Sequence, residues 1–146
     1  MNQVTRTIAA MGLFLMLAVA GVQAQSGNRI EVNITFDFSV AETDFKAGAY
    51  TVRRISSRDL VIRSADGKIN AVVHAPLAIG IRDAKAGERL VFNRYDDRYF
   101  LFQAWLKADS GRQLFPSAAE RTTAQRKQLA KQGKKPERVE VLARAR

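Results

Sequence analysis

The sequence predicts a mainly β protein: a single antiparallel β-sandwich or small barrel of about 7–8 strands, with one basic helix near its C-terminus. Three observations carry that expectation. Apolar and polar side chains alternate strictly over residues 30–40, apolar runs flank Asp66-Gly67 and Asp96-Asp97, and helical chemistry begins at Ser117.

Residues 1–24 read as a secretory signal peptide, with a basic start at Arg6, an uncharged apolar run over residues 8–21, and small Val22 and Ala24 around Gln23. Cleavage is expected after Ala24. A bilayer-spanning helix needs about 20 apolar residues, and this run is shorter and followed at once by Gln25-Ser26-Gly27-Asn28. The processed chain is therefore expected to be periplasmic or secreted, with no transmembrane span. It has 122 residues and a formal charge of +9, since Arg6 is the only charged side chain removed from a total of +10. With no cysteine, core packing has to hold it together.

Over residues 30–40, Ile30, Val32, Ile34, Phe36, Phe38 and Val40 alternate with polar neighbours, which predicts a strand with one buried face. Lys46-Ala47-Gly48 then turns the chain into a second extended run over residues 49–55. Residues 60–63 and 69–74 flank Asp66-Gly67, a hairpin signal because glycine accepts positive φ. Pro76 opens a further stretch over residues 77–82. Residues 89–95 and 98–106 form a second hairpin closed at Asp96-Asp97, in which Phe92 should face Leu101, Arg94 should face Tyr99, and Val91 should face Phe102. Tyr99-Phe100-Leu101-Phe102 is apolar on both faces, as expected of a centrally placed, covered strand.

The β domain is thus expected over residues 25–116, a basic helix over residues 117–133, and a basic tail over residues 134–146 with a short last strand near residues 139–142. Ser117 and Glu120 have the spacing of a capping box, in which the serine accepts a backbone N–H and the glutamate reaches back to the cap. Gly133 is the expected stop. Ala118, Ala124, Leu129 and Ala130 make only a thin apolar stripe, so light packing is expected.

The stretches Phe36-Asp37-Phe38-Ser39-Val40, Ala47-Gly48-Ala49-Tyr50-Thr51-Val52, residues 90–101 with Trp105, Gly111-Arg112 and residues 117–121 resemble a family of small exported β-rich proteins of acidobacteria and similar soil bacteria. Members tend to carry Leu-Pro before the Ala-Gly turn and often histidine at the position of Asn93. Here Phe45-Lys46 precedes the turn. The resemblance implies export and a β architecture and supplies no catalytic residues.

A nucleophilic triad needs a base, and the one histidine, His74, stands at a strand end without motif spacing. One histidine and no cysteine make a poor zinc-ligand set, and Asp96-Asp97 reads as a turn. Asp37, Glu42, Asp44 and Asp59 would have to converge to support carboxylate-dependent hydrolysis. No phosphate-cradling glycine loop occurs. The expectation is a non-enzymatic protein without cofactor or metal.

Residues 117–146 hold nine Lys or Arg against three acids, a surplus of +6. Candidate binding residues are Arg121, Arg126, Lys127, Lys131, Lys134 and Lys135 in that segment, with Arg94, Arg98, Tyr99 and Trp105 as a mixed cationic and aromatic set. The plain alternative for the last four is Arg stacked on aromatic rings across a hairpin. The expected partners are anionic envelope polymers or an acidic protein, without specific nucleic-acid recognition. A small barrel carrying an apolar ligand is the competing expectation, from the inward aromatic positions.

Overall fold

The computed structural model describes residues 28–80, 85–130 and 135–144. The expected signal peptide lies outside them. Within them the chain forms eleven strands and one helix: β1 (Arg29–Ile34), β2 (Phe38–Val40), β3 (Thr43–Phe45), β4 (Gly48–Arg54), β5 (Asp59–Ser64), β6 (Asn70–His74), β7 (Leu77–Gly80), β8 (Arg89–Tyr95), β9 (Arg98–Trp105), β10 (Ser110–Gln113), α1 (Ala118–Leu129) and β11 (Glu137–Leu142). The helix of the described residues is too short to cross a membrane.

The strands make two sheets, as expected of a β-sandwich. The first runs β1-β4-β5-β6 and the second β11-β8-β9-β10-β7, with the β2-β3 hairpin attached to β9 by a parallel pairing of Ser39 with Phe100. The sheets are stitched together at one edge, where Val32 bridges Ala143 and the Arg144 N–H donates to the Glu31 carbonyl over 2.8 Å. On another side the chain passes directly from β6 to β7 through Ala75-Pro76.

Between the sheets, Ile30, Val32, Ile34, Val52, Leu60 and Ile62 meet Leu90, Phe92, Leu101 and Ala104, all buried. Each large apolar side chain so buried contributes roughly 1.5–3 kcal/mol. The inward aromatics fill this space with one another: Phe38 stacks on Phe45 at 5.1 Å and meets Tyr50 and Phe92 edge-on at 5.3 and 5.4 Å.

The alternation over residues 30–40 is not one strand. β1 ends at Ile34, and the chain crosses to the second sheet before β2 begins at Phe38. The carboxylate of Asp37 marks the crossing, accepting from the Lys46 ammonium and the Ala47 N–H at 2.9 Å each. The period of two survives because both segments line the same interior. The strand count exceeds the expected 7–8 because the chain is cut into short pieces such as β2, β3, β7 and β10.

The β8-β9 hairpin places Phe92 opposite Leu101 and Arg94 opposite Tyr99 as expected, but Val91 faces Gln103, not Phe102. A bulge between Val91 and Phe92 inserts one extra residue in β9. Of the expected run over residues 77–82, Leu77–Gly80 form β7, and residues 81–84 lie outside the described residues.

The last strand is longer than residues 139–142 and belongs to the sheet: β11 pairs with β8 from Glu137 opposite Arg94 to Leu142 opposite Arg89. The helix is therefore inserted between two strands of one sheet. It stops at Leu129 with Ala130 as its C-cap, and the expected Gly133 stop lies outside the described residues.

Candidate anion-binding site

β9 is apolar on both faces because both are covered, though not by a third layer of sheet. Leu101 and Ala104 face the core, while Phe100 and Phe102 face outward beneath arginines. Arg98 lies 5.0 Å from the Phe100 ring centre, Arg138 of β11 lies 3.7 Å from that of Phe102, and Arg89 lies 4.5 Å from that of Trp105. A guanidinium can cover an aromatic face while its edge still donates hydrogen bonds.

The helix covers the same outer face, and it does so through polar side chains. Ser117 caps it, accepting the Glu120 N–H at 3.1 Å. The other half of the expected capping box is diverted, because the buried Glu120 carboxylate accepts from the Asn93 amide at 2.7 Å and the Tyr95 hydroxyl at 3.3 Å. Desolvation, followed by the Glu120 charge, pushes the Tyr95 phenol up to about 12. One turn further, Thr123 accepts from Arg98 at 3.0 Å, and after another turn Lys127 pairs with Asp96. At the helix start, the Ala118 N–H donates to Glu42 at 2.9 Å.

Glu120, Thr123 and Lys127 thus make the docking stripe at helical spacing. The expected apolar stripe plays no such part: Ala118 and Ala130 are exposed, Ala124 is half-buried, and Leu129 is 83% exposed.

At the hairpin tip, Asp96 adopts φ 57°, a conformation aspartate tolerates better than most residues. The tip, the second half of the helix and the approach to β11 surround a cleft of about 380 Å³ lined by Arg94, Tyr95, Asp96, Lys127, Lys135, Pro136 and Glu137. Three sequence-predicted cations meet here, from β8, from α1 and from the residues just before β11. They meet two carboxylates as well. Arg94 donates through Nε to the Asp96 carbonyl at 2.7 Å and pairs with Glu137 at 3.4 Å, and Lys127 is held by Asp96. Lys135 is exposed and, among the described residues, in no ion pair.

The other predicted residues are distributed around this cleft or away from it. Arg126 is exposed in the last helical turn, where a cation also suits the helix dipole. Arg121 turns back to the Pro116 carbonyl at 2.9 Å. Tyr99 stacks on Phe36 at 3.9 Å and lies 5.5 Å from Arg94, so the plain cross-strand reading of that pair describes its contacts. Trp105 is buried under Arg89 and donates to Gln103 at 3.1 Å, apart from the cleft. Lys131 and Lys134 lie outside the described residues.

Of the acids weighed for hydrolysis, Asp37 and Asp44 line a second cleft of about 230 Å³ beside Asp97. Both are engaged: the Lys46 hydrogen bond holds Asp37 below the usual carboxylate range, and Asp44 accepts from Ser39 at 2.6 Å. Asp59 is elsewhere, 2.9 Å from Nδ1 of the exposed His74. A general acid would need a raised pKa, and Asp37 is shifted the other way.

Comparison with protein-family models, with curated proteins and with solved structures finds no match to this chain.

Proposed function

We propose that this chain is an exported, non-enzymatic binding domain whose basic cleft at the hairpin tip engages an anionic polymer of the cell envelope. The observation that carries this reading is the convergence of Arg94, Lys127 and Lys135 from β8, α1 and the approach to β11, beside the exposed Arg126. An incoming polyanion competes with Asp96 and Glu137 for cations already gathered in one place, and it finds Lys135 and Arg126 outside the ion pairs of the described residues. Such binding weakens with salt, because exposed charges are screened over a Debye length of about 8–10 Å.

Export is supported by the basic-apolar-small order of residues 1–24.

The test is titration of the purified protein with a soluble polyuronate across a salt series, alongside the triple variant Arg126→Gln, Lys127→Gln, Lys135→Gln. Substitution is required in place of truncation, since removing the C-terminal segment removes β11. Affinity should fall steadily with salt and drop by about tenfold in the variant, the equivalent of roughly 1.4 kcal/mol. Indifference to both salt and substitution would defeat the proposal. Peptide sequencing of protein recovered from its host should find Gln25 as the first residue.

A further inference from the structure

The solvent face of the first sheet carries a second cluster of cations that the C-terminal charge count hides. Arg29 of β1, Arg53 of β4 and Arg63 of β5 line one groove of about 320 Å³, together with Thr51, Val61, Ser64, Ala65 and Asn70. The register explains their convergence. Arg29 stands directly opposite Arg53, and Thr51 stands opposite Arg63, so Arg63 is the diagonal neighbour of Arg53. Direct cross-strand neighbours have Cβ atoms about 4.5–5.5 Å apart and diagonal ones about 7–8 Å.

Like charges directly opposite each other destabilise a sheet. Glu31 relieves one of the three, binding Arg29 at 2.8 Å. Arg53 and Arg63 are exposed and, among the described residues, have no carboxylate partner. Asp66 of the adjoining turn is taken by Ser64, the Lys68 N–H and the Lys68 ammonium. The Arg63 guanidinium lies over Gly67, where a Cβ would come within 3.1 Å of Nη2.

We infer that this groove is a binding site for a small phosphate monoester. Its volume lies at the lower end of small-ligand sites, about 300–1,000 Å³, and suits a compact molecule better than a long chain. A phosphate monoester brings about −1.5 to −2 charge in one group, matching two uncompensated guanidinium groups, and its three terminal oxygens accept forked N–H pairs. Thr51 and Asn70 at the groove wall offer a hydroxyl and an amide for the sugar or alcohol part.

The site is separate from the hairpin-tip cleft, so the two proposals fail independently. The experiment is a heteronuclear NMR titration of the exported protein with ribose 5-phosphate, with ribose and phosphatidylglycerol vesicles as parallel arms. The expected result is saturable movement of the Thr51, Arg53, Arg63 and Asn70 amides with ribose 5-phosphate and none with ribose. The Arg53→Gln, Arg63→Gln variant should lose at least about tenfold in affinity while leaving polyuronate binding unchanged. Should that variant not fold, Arg53→Lys keeps the charge and loses the fork, and it should weaken binding several-fold. Equal binding of ribose, unchanged affinity in the variants, movement confined to the hairpin-tip cleft, or binding to vesicles alone would each overturn the inference.

Discussion

Glu120 shows how much one side chain decides here. Its position three residues after Ser117 reads as a capping partner, yet burial against β8 makes the Asn93 amide and the Tyr95 hydroxyl its partners. Removing a buried acceptor strands its donors, at a cost of about 1–3 kcal/mol. Glu120→Ala should therefore lower the unfolding free energy by that amount in urea titration, seen as an earlier midpoint. The same variant should bring the Tyr95 phenol down from about 12, because one of the causes holding it up is the Glu120 charge. The sign of the pH effect follows from a raised phenol. Its contribution to stability is fully present below the unfolded value of 10.0 and is lost as pH rises through about 12. Absorbance titration of the phenolate, with Tyr95→Phe to assign it, should find a late-ionising tyrosine in the folded protein. An ordinary ionisation of Tyr95 would contradict the desolvated contact.

At the scale of elements, the clearest steric constraint lies between β9 and β10. A Cβ at Gly111 would come within 2.9 Å of both the Ala104 carbonyl and the Trp105 ring. Gly111→Ala should consequently destabilise the protein by about 1–3 kcal/mol, as overpacking usually does, and should move the Trp105 fluorescence. Unchanged emission and stability would show that the ring is not so confined. The hairpins β5-β6 and β8-β9 were legible in the sequence, because Asp66-Gly67 and Asp96-Asp97 constrain the backbone locally, whereas the pairings between strands distant in the chain were not. The bulge opposite Val91 was not, since nothing in the alternation of Phe100, Leu101 and Phe102 marks an extra residue. The docking stripe of α1 was hidden for a different reason. Apolar period is what marks a packing face in a sequence, and Glu120, Thr123 and Lys127 dock by hydrogen bonds and charge.

For the whole molecule, the decisive element is β11. It pairs with β8 from Arg89 to Arg94, and Ala143 just after it bridges Val32 of β1, so it closes one edge of the sandwich. A chain ending before Glu137 should lose its single cooperative unfolding transition, whereas one ending after Arg144 should keep it. Thermal unfolding followed by far-ultraviolet circular dichroism distinguishes the two. A cooperative transition in the shorter chain would mean that β11 is an accessory strand. The same topology accounts for the charge distribution: the C-terminal basic segment is brought back against Arg94 and Asp96, which lie far earlier in the chain.

The sequence by itself determined the β class, the main hairpins, the helix N-terminus at Ser117 and the cationic surplus of residues 117–146. These depend on side-chain period, turn chemistry and composition, all of which act over a few neighbouring residues. Only the tertiary structure decided that residues 30–40 divide between two sheets, that Glu120 serves β8, and that arginines from three strands meet on one face. Those outcomes rest on strand order and on contacts between distant segments. The registers that place Arg53 beside both Arg29 and Arg63 are fixed by which faces the two sheets bury against each other.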